Sequence, residues 1–258
     1  VSLPPDESPQ FETEPQPTPK KPKRSWIRRF PATFGLIALT AVFFALQWLS
    51  QYILGVDLIL YYGVKLREAV SAGEIWRLIT PIFIHVGIIH FAVNMYSLFI
   101  LGPAVETLFG SQRMPLFYLI SGVGGVAFSM LFSANPSAGA SGAIFGLLGA
   151  LVAFLYVHRR ILGRRGLLQF RHLILVALLN LFLSLMPGID GWGHVGGLIT
   201  GAAITILLGP VMEPVWIAPE RAQLVDRRPW GEIWQRILLI GAIVVVLALM
   251  ASFSNMGA

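Results

Sequence analysis

The sequence predicts an all-α polytopic membrane protein, and three observations carry that prediction. Of its 258 residues, 55% are hydrophobic and only 12% charged, with a mean hydropathy of +0.72. A soluble domain carries about 25% charge, so half the usual complement argues for a chain that crosses a bilayer several times. Seven apolar segments, separated by polar or basic stretches, complete the pattern. The net charge of +6 sits mostly in those short stretches, so it reads as topology rather than as a surface for nucleic acid. The chain has no cysteine, which excludes a disulfide scaffold and a cysteine nucleophile or metal ligand.

Residues 1–30 form the first unit. Residues 1–25 are rich in Pro, Glu, Gln, Ser and Thr and then turn basic at 20-KKPKR-24, as expected of a disordered cytoplasmic tail. Residues 26-WIRRF-30 bring aromatic and basic groups to the membrane surface as an interfacial anchor. The first span, 34–53, follows a long polar stretch and exceeds a signal-peptide core, so it is expected to remain as a membrane helix.

Residues 54–80 hold Asp57, Lys65, Arg67, Glu68, Glu74 and Arg77, too many charges for a span. Their length instead predicts a structured outer loop with short amphipathic helices. The second span covers 84–104, the third 114–132 and the fourth 139–157. A basic loop, 158-HRRILGRRGLLQFRH-172, precedes a short fifth span at 173–187. The sixth is 193–210, which closes a core of 31–210. A polar cytoplasmic linker, 211–234, leads to a seventh span within 235–258.

With the N-terminus inside, the cytoplasmic segments hold 16 of the 19 Lys and Arg residues. That bias predicts N-in and C-out. Spans two, four and six then all run inward from the outer face, so residues near their starts share one side of the membrane.

Those starts are polar. Span four begins at Ser141 among Gly139, Gly142, Gly146 and Gly149, and span six at His194 among Gly193, Gly196, Gly197 and Gly201. A lone serine in a membrane helix can simply bond back to a carbonyl one turn earlier. The glycine positions on both spans, however, suit close backbone approach. If these faces meet, His194 serves as general base to Ser141 in a Ser–His dyad. Ser141 is not a soluble-hydrolase elbow, because Ala143 stands where that motif needs glycine. Asp190 is the nearest acid by depth but reads as a loop residue.

An attacked amide develops an oxyanion, which needs waiting donors. His90 and Asn94, one turn apart on span two, suit that role, and the Ser141 backbone N–H adds a third donor. The same pair would also serve as an interhelical hydrogen-bonded couple. His85, nearer the surface, would support His90 or hold water at the entrance. Without an HExxH motif, a cysteine or a membrane-depth carboxylate, no metal site is expected. No cofactor is expected either.

These motifs resemble the rhomboid intramembrane serine proteases over about residues 34–210. The His90-x-x-x-Asn94 pair is similar to the family's oxyanion motif. Gly139-Ala140-Ser141-Gly142 resembles the nucleophile motif, and His194-Val195-Gly196-Gly197 with Gly201 resembles the catalytic-histidine region. Trp76-Arg77 matches the pair in the large first loop, and Glu106 the acidic residue ending span two. The resemblance implies a six-transmembrane-helix bundle with one extra C-terminal helix, in a bacterial inner (plasma) membrane with the site open to the outer face. It implies a serine endopeptidase whose partners are membrane lipid and transmembrane protein substrates, single-span or other, cut in or near the transmembrane segment without metal or nucleotide. Entry would be sideways between helices, with span five, short and lacking a glycine face, as the mobile one. One departure is Phe145, where bacterial members commonly carry a tyrosine packed on the histidine; a phenyl ring can make the same stack.

Two other readings fit parts of the pattern. A proteolytically inactive rhomboid-like protein would bind and guide membrane clients, but it would be expected to lack Ser141 or His194. A small-solute transporter fits seven spans, yet the polar residues cluster near one face and no paired repeat is visible.

Overall fold

The computed structural model describes residues 25–218 and 221–254; the expected tail at 1–24 and the last four residues lie outside them. A short interfacial helix, α1 (Trp26–Arg29), turns at Phe30 into α2 (Pro31–Leu54), with Pro31 opening the helix where its missing N–H costs nothing. The other long helices are α5 (Ile88–Phe109), α6 (Arg113–Phe132), α7 (Ser141–Val157), α8 (Arg159–Leu183), α9 (Gly191–Leu208) and α10 (Trp230–Phe253). Six of the seven long helices are long and apolar enough to cross a membrane, and α7, with 17 residues, is shorter. The protein is an integral, multi-pass membrane protein.

α6 and α7 sit at the centre. Both are buried along much of their length, and α7 makes its widest contact with α9. Glycine explains how close they come. A Cβ at Gly197 would overlap the Gly142 carbonyl oxygen, and one at Gly201 would overlap the Gly146 carbonyl oxygen. From the other side, a Cβ at Gly149 would overlap the Leu198 carbonyl oxygen. Helix backbones touch directly where the glycine spacing placed the faces.

Residues 54–80 fold as expected of a structured loop, with α3 (Leu58–Gly63), α4 (Arg67–Ser71) and two 3₁₀ turns. Arg77 fastens it: its guanidinium donates to the carbonyls of Tyr61 (3.0 Å) and Val64 (2.8 Å) and pairs with Glu74 at 2.6 Å. The Trp76 indole donates to the Tyr62 carbonyl at 3.0 Å. Glu106 works at the opposite end of α5, where its carboxylate accepts from the Ala32 and Thr33 amides and the Thr33 and Ser111 hydroxyls at 2.6–2.9 Å. It caps α2 from another helix, satisfying donors that have no partner within α2.

Two local features differ from the sequence expectations. The basic stretch 159–171 is helical and continuous with the span, broken only at Gly163, whose φ of 55° a side chain would strain. The stretch expected as a linker holds a hairpin, β1 (Met212–Ala218) paired antiparallel with β2 (Arg221–Asp226). It is latched to the bundle by an Arg113–Asp226 ion pair (2.8 Å) and by the Met212 amide donating to His158 Nε2 (2.8 Å). α10, whose place was not read from the sequence, lies along α6 and reaches α4 of the loop.

Candidate active site

The starts of α5, α7 and α9 converge at one end of the bundle. Ser141 is the first residue of α7, and its Oγ lies 2.8 Å from His194 Nε2 on the first turn of α9. The Phe145 ring, one turn further along α7, stacks on the His194 imidazole with centroids 4.3 Å apart and planes 12° from parallel. The phenyl therefore occupies the place expected for an aromatic beside the imidazole.

The approach to Ser141 is a non-helical strip, 135–140, pinned to the loop. Lys65 and Ser137 exchange backbone hydrogen bonds, and the Gly139 amide donates to the Pro81 carbonyl at 2.8 Å. Gly139 has φ 134°, and a Cβ there would lie 2.6 Å from His90 Cε1, so only glycine lets the His90 ring lie against this strip. A depression opens beside the pair, lined by Ser137, Gly139, Ser141, Gly142 and His194 together with Pro81 and Gly125.

His90 therefore stands next to the strip that leads to the serine. Asn94 is buried one turn on, with its amide donating to the His90 carbonyl at 2.9 Å. Of the two parts expected for His85, the structure sets its ring edge-on to His90 with centroids 5.2 Å apart, away from an entrance position. It is buried, its backbone is clamped by the Gln47 amide at 2.9 and 3.0 Å, and its Nε2 accepts from the Ala140 amide at 3.3 Å. That bond holds the residue before Ser141. Trp76, Arg77 and Glu106 lie in the loop anchors and helix cap described above, away from the serine.

Two contributors were not read from the sequence as parts of the site. One is Ser184, the C-cap of α8, whose Oγ lies 2.5 Å from His194 Nδ1. The other is a chain, buried at Lys65 and Ser129, that ends on the half-buried Asp190 at the start of α9. Lys65 Nζ donates to Ser129 Oγ (2.9 Å), which donates to Asp190 Oδ2 (2.5 Å), while Asp190 Oδ1 accepts from the Gly193 amide (2.9 Å). Asp190 is thus the N-cap of the helix that carries His194. Burial holds the pKa of the Lys65 ammonium below its ordinary 10.5, against the opposing pull of Asp190.

Replacing Asp190 with alanine removes both a cap and the counter-charge of a buried lysine. The expected loss is about 1–2 kcal/mol, the range for removing a helix N-cap. It would be read as a fall in Tm in detergent, and Ser129→Ala should reproduce part of it.

A helical membrane bundle with a hydrogen-bonded serine and histidine at the starts of two glycine-packed helices defines a recognisable class. The family model described as the Rhomboid domain matches residues 72–211, more than half of the chain. The chain belongs to the rhomboid family. It is 40% identical over 184 residues to the Rhomboid protease GluP of Bacillus subtilis (strain 168), covering 68% of this chain and 36% of that protein. It is 33% identical over 202 residues to RHOMBOID-like protein 4 of Arabidopsis thaliana, covering 75% and 50% respectively. A third relative, RHOMBOID-like protein 6, mitochondrial, of the same plant, is 40% identical over 149 residues, covering 57% and 48%. The chain thus spans between about a third and a half of the length of these relatives.

Proposed function

We propose that this chain is an intramembrane serine endopeptidase that cuts a peptide bond in or near the transmembrane segment of membrane-protein substrates. The observation that carries this is the 2.8 Å contact between His194 Nε2 and Ser141 Oγ. Family membership and the similarity to a rhomboid protease support the same reading.

In the proposed reaction, Ser141 Oγ attacks the scissile carbonyl while His194 Nε2 takes its proton. The imidazolium then protonates the leaving amine, which departs on the carboxyl-terminal fragment and leaves the amino-terminal part bound as an acyl-enzyme. Water, deprotonated by the same nitrogen, attacks the ester and releases Ser141. The oxyanion would be met by His90, the second Asn94 amide hydrogen and the Ser141 N–H, which as the first of its helix has no carbonyl one turn back. No metal or cofactor enters these steps. Bulk lipid excludes water and satisfies no backbone groups. The substrate helix must therefore unwind at the depression, and small or helix-breaking residues at the cut would lower that cost.

The positive-inside bias, 16 of 19 basic residues on the N-terminal side, supports a cytoplasmic N-terminus and a site open to the outer face. The test of function is reconstitution in liposomes with a single-span model substrate. Cleavage products from the wild type are the expected result. A folded wild type that binds but never cuts a broad substrate panel would favour client binding instead.

The Phe145 stack gives a graded prediction. Such pairs are worth about 1 kcal/mol, so Phe145→Ala should lower kcat about fivefold, while Phe145→Tyr should remain near wild type. Initial rates on the same substrate decide it.

A further inference from the structure

We infer that Ser184 is the positioning residue of the site, selecting the tautomer of His194 that can act as a base. The inference rests on the proposed protease reading and adds a third residue to its dyad. Ser184 is buried, and its Oγ has two close partners: the Asn180 carbonyl oxygen at 2.7 Å and His194 Nδ1 at 2.5 Å. A hydroxyl has one hydrogen to give and lone pairs to receive. The Asn180 carbonyl can only accept, so that hydrogen is spent there. The second contact is then satisfied only when His194 Nδ1 carries hydrogen and donates it to Ser184 Oγ.

That choice fixes the other end of the ring. A neutral imidazole protonated at Nδ1 has its lone pair at Nε2, the nitrogen 2.8 Å from Ser141 Oγ. The opposite tautomer would point an N–H at the nucleophile. It would also oblige Ser184 to abandon Asn180 in order to satisfy Nδ1. His158 in the same molecule follows this logic: its Nε2 accepts from the Met212 amide, and its Nδ1 lies 2.8 Å from the Phe154 carbonyl.

The backbone is built to bring Ser184 there. Its carbonyl oxygen would lie 3.0 Å from a Cβ at Gly191, so glycine at the first position of α9 permits the approach. α8 is otherwise sparsely packed, with few buried residues and little contact with α9. Ser184 does for His194 what a carboxylate does in a serine-protease triad, in orientation but not in charge.

The test uses the full chain in detergent micelles with 15N-labelled histidine, the His194 signals assigned by their loss in His194→Ala. The wild type should show hydrogen on Nδ1 and a bare Nε2 at a pH where the ring is neutral. Ser184→Ala should move the population toward Nε2–H and lower kcat with KM little changed. By comparison with partners that orient metal-binding histidines, the fall should be about 10–100-fold. Ser184→Thr should restore both readouts. A wild-type His194 protonated at Nε2 overturns the proposal, as does a Ser184→Ala protein with unchanged tautomer and unchanged kcat. The tautomer is read without substrate, so a chain that cuts nothing would sink the protease reading while leaving the role of Ser184 to be decided by the spectrum.

Discussion

Gly197→Ala should cost about 3 kcal/mol of stability, the upper range for overpacking a close-packed interior. The new methyl would overlap the carbonyl oxygen of Gly142, a backbone atom that no rotamer change can move aside. Relief requires α7 and α9 to separate at the level just below the Ser141–His194 contact. A shift of about 1 Å at reacting groups can reduce turnover on the order of 100-fold. The variant should therefore lose activity even at temperatures where it stays folded. Gly35→Ala in α2 is the matched control: nothing lies within 4 Å of its added methyl, and alanine is the better helix former by about 1 kcal/mol. Thermal unfolding in detergent should show a large fall in Tm for the first variant and none for the second.

His194→Ala should bring cleavage below detection. In serine proteases of the soluble kind, removing the base alone costs on the order of 10⁶-fold in kcat, about as much as removing the whole catalytic set. Ser141→Ala should match it, and the double variant should be no worse than either single one, because the two groups act as a unit. Ser141→Ala introduces no clash and should change stability by less than about 1 kcal/mol, whereas His194→Ala gives up a buried, stacked and hydrogen-bonded ring and should lose about 2 kcal/mol while remaining folded at the assay temperature. Cleavage assays on reconstituted protein, with unfolding measured on the same preparations, separate the chemical loss from a folding defect.

The parts of this site that were legible in the sequence are those with a period. Glycines three and four residues apart on two apolar segments announced helix faces that touch, and alternating basic stretches put the starts of those segments at one end. The aromatic stack was expected only through the family resemblance, since nothing in the spacing of Phe145 alone points to His194. Ser184 was not legible: it is a single hydroxyl at the end of an apolar run, and its meaning depends on a ring that reaches it from another helix. Lys65 was read as one charge among several in a loop. Its burial becomes sensible only once Ser129 and Asp190, far along the chain, are found beside it. Asp190 itself looked like a loop acid because capping acts through backbone geometry. The hairpin at 212–226 was hidden for a related reason, since its strands are short and carry proline and charge, and its latch is a histidine from α7's end.

The Ser141–His194 pair is the centre of the account, and covalent labelling tests it most directly. A fluorophosphonate reacts only with a serine whose proton a neighbouring base removes. After treatment of the full chain in detergent, peptide mass mapping should find one adduct, on Ser141, lost in His194→Ala at a temperature where that variant is still folded. Labelling that persists without His194, or a wild type that cleaves substrate while Ser141 stays unmodified and replaceable by alanine, would contradict the dyad.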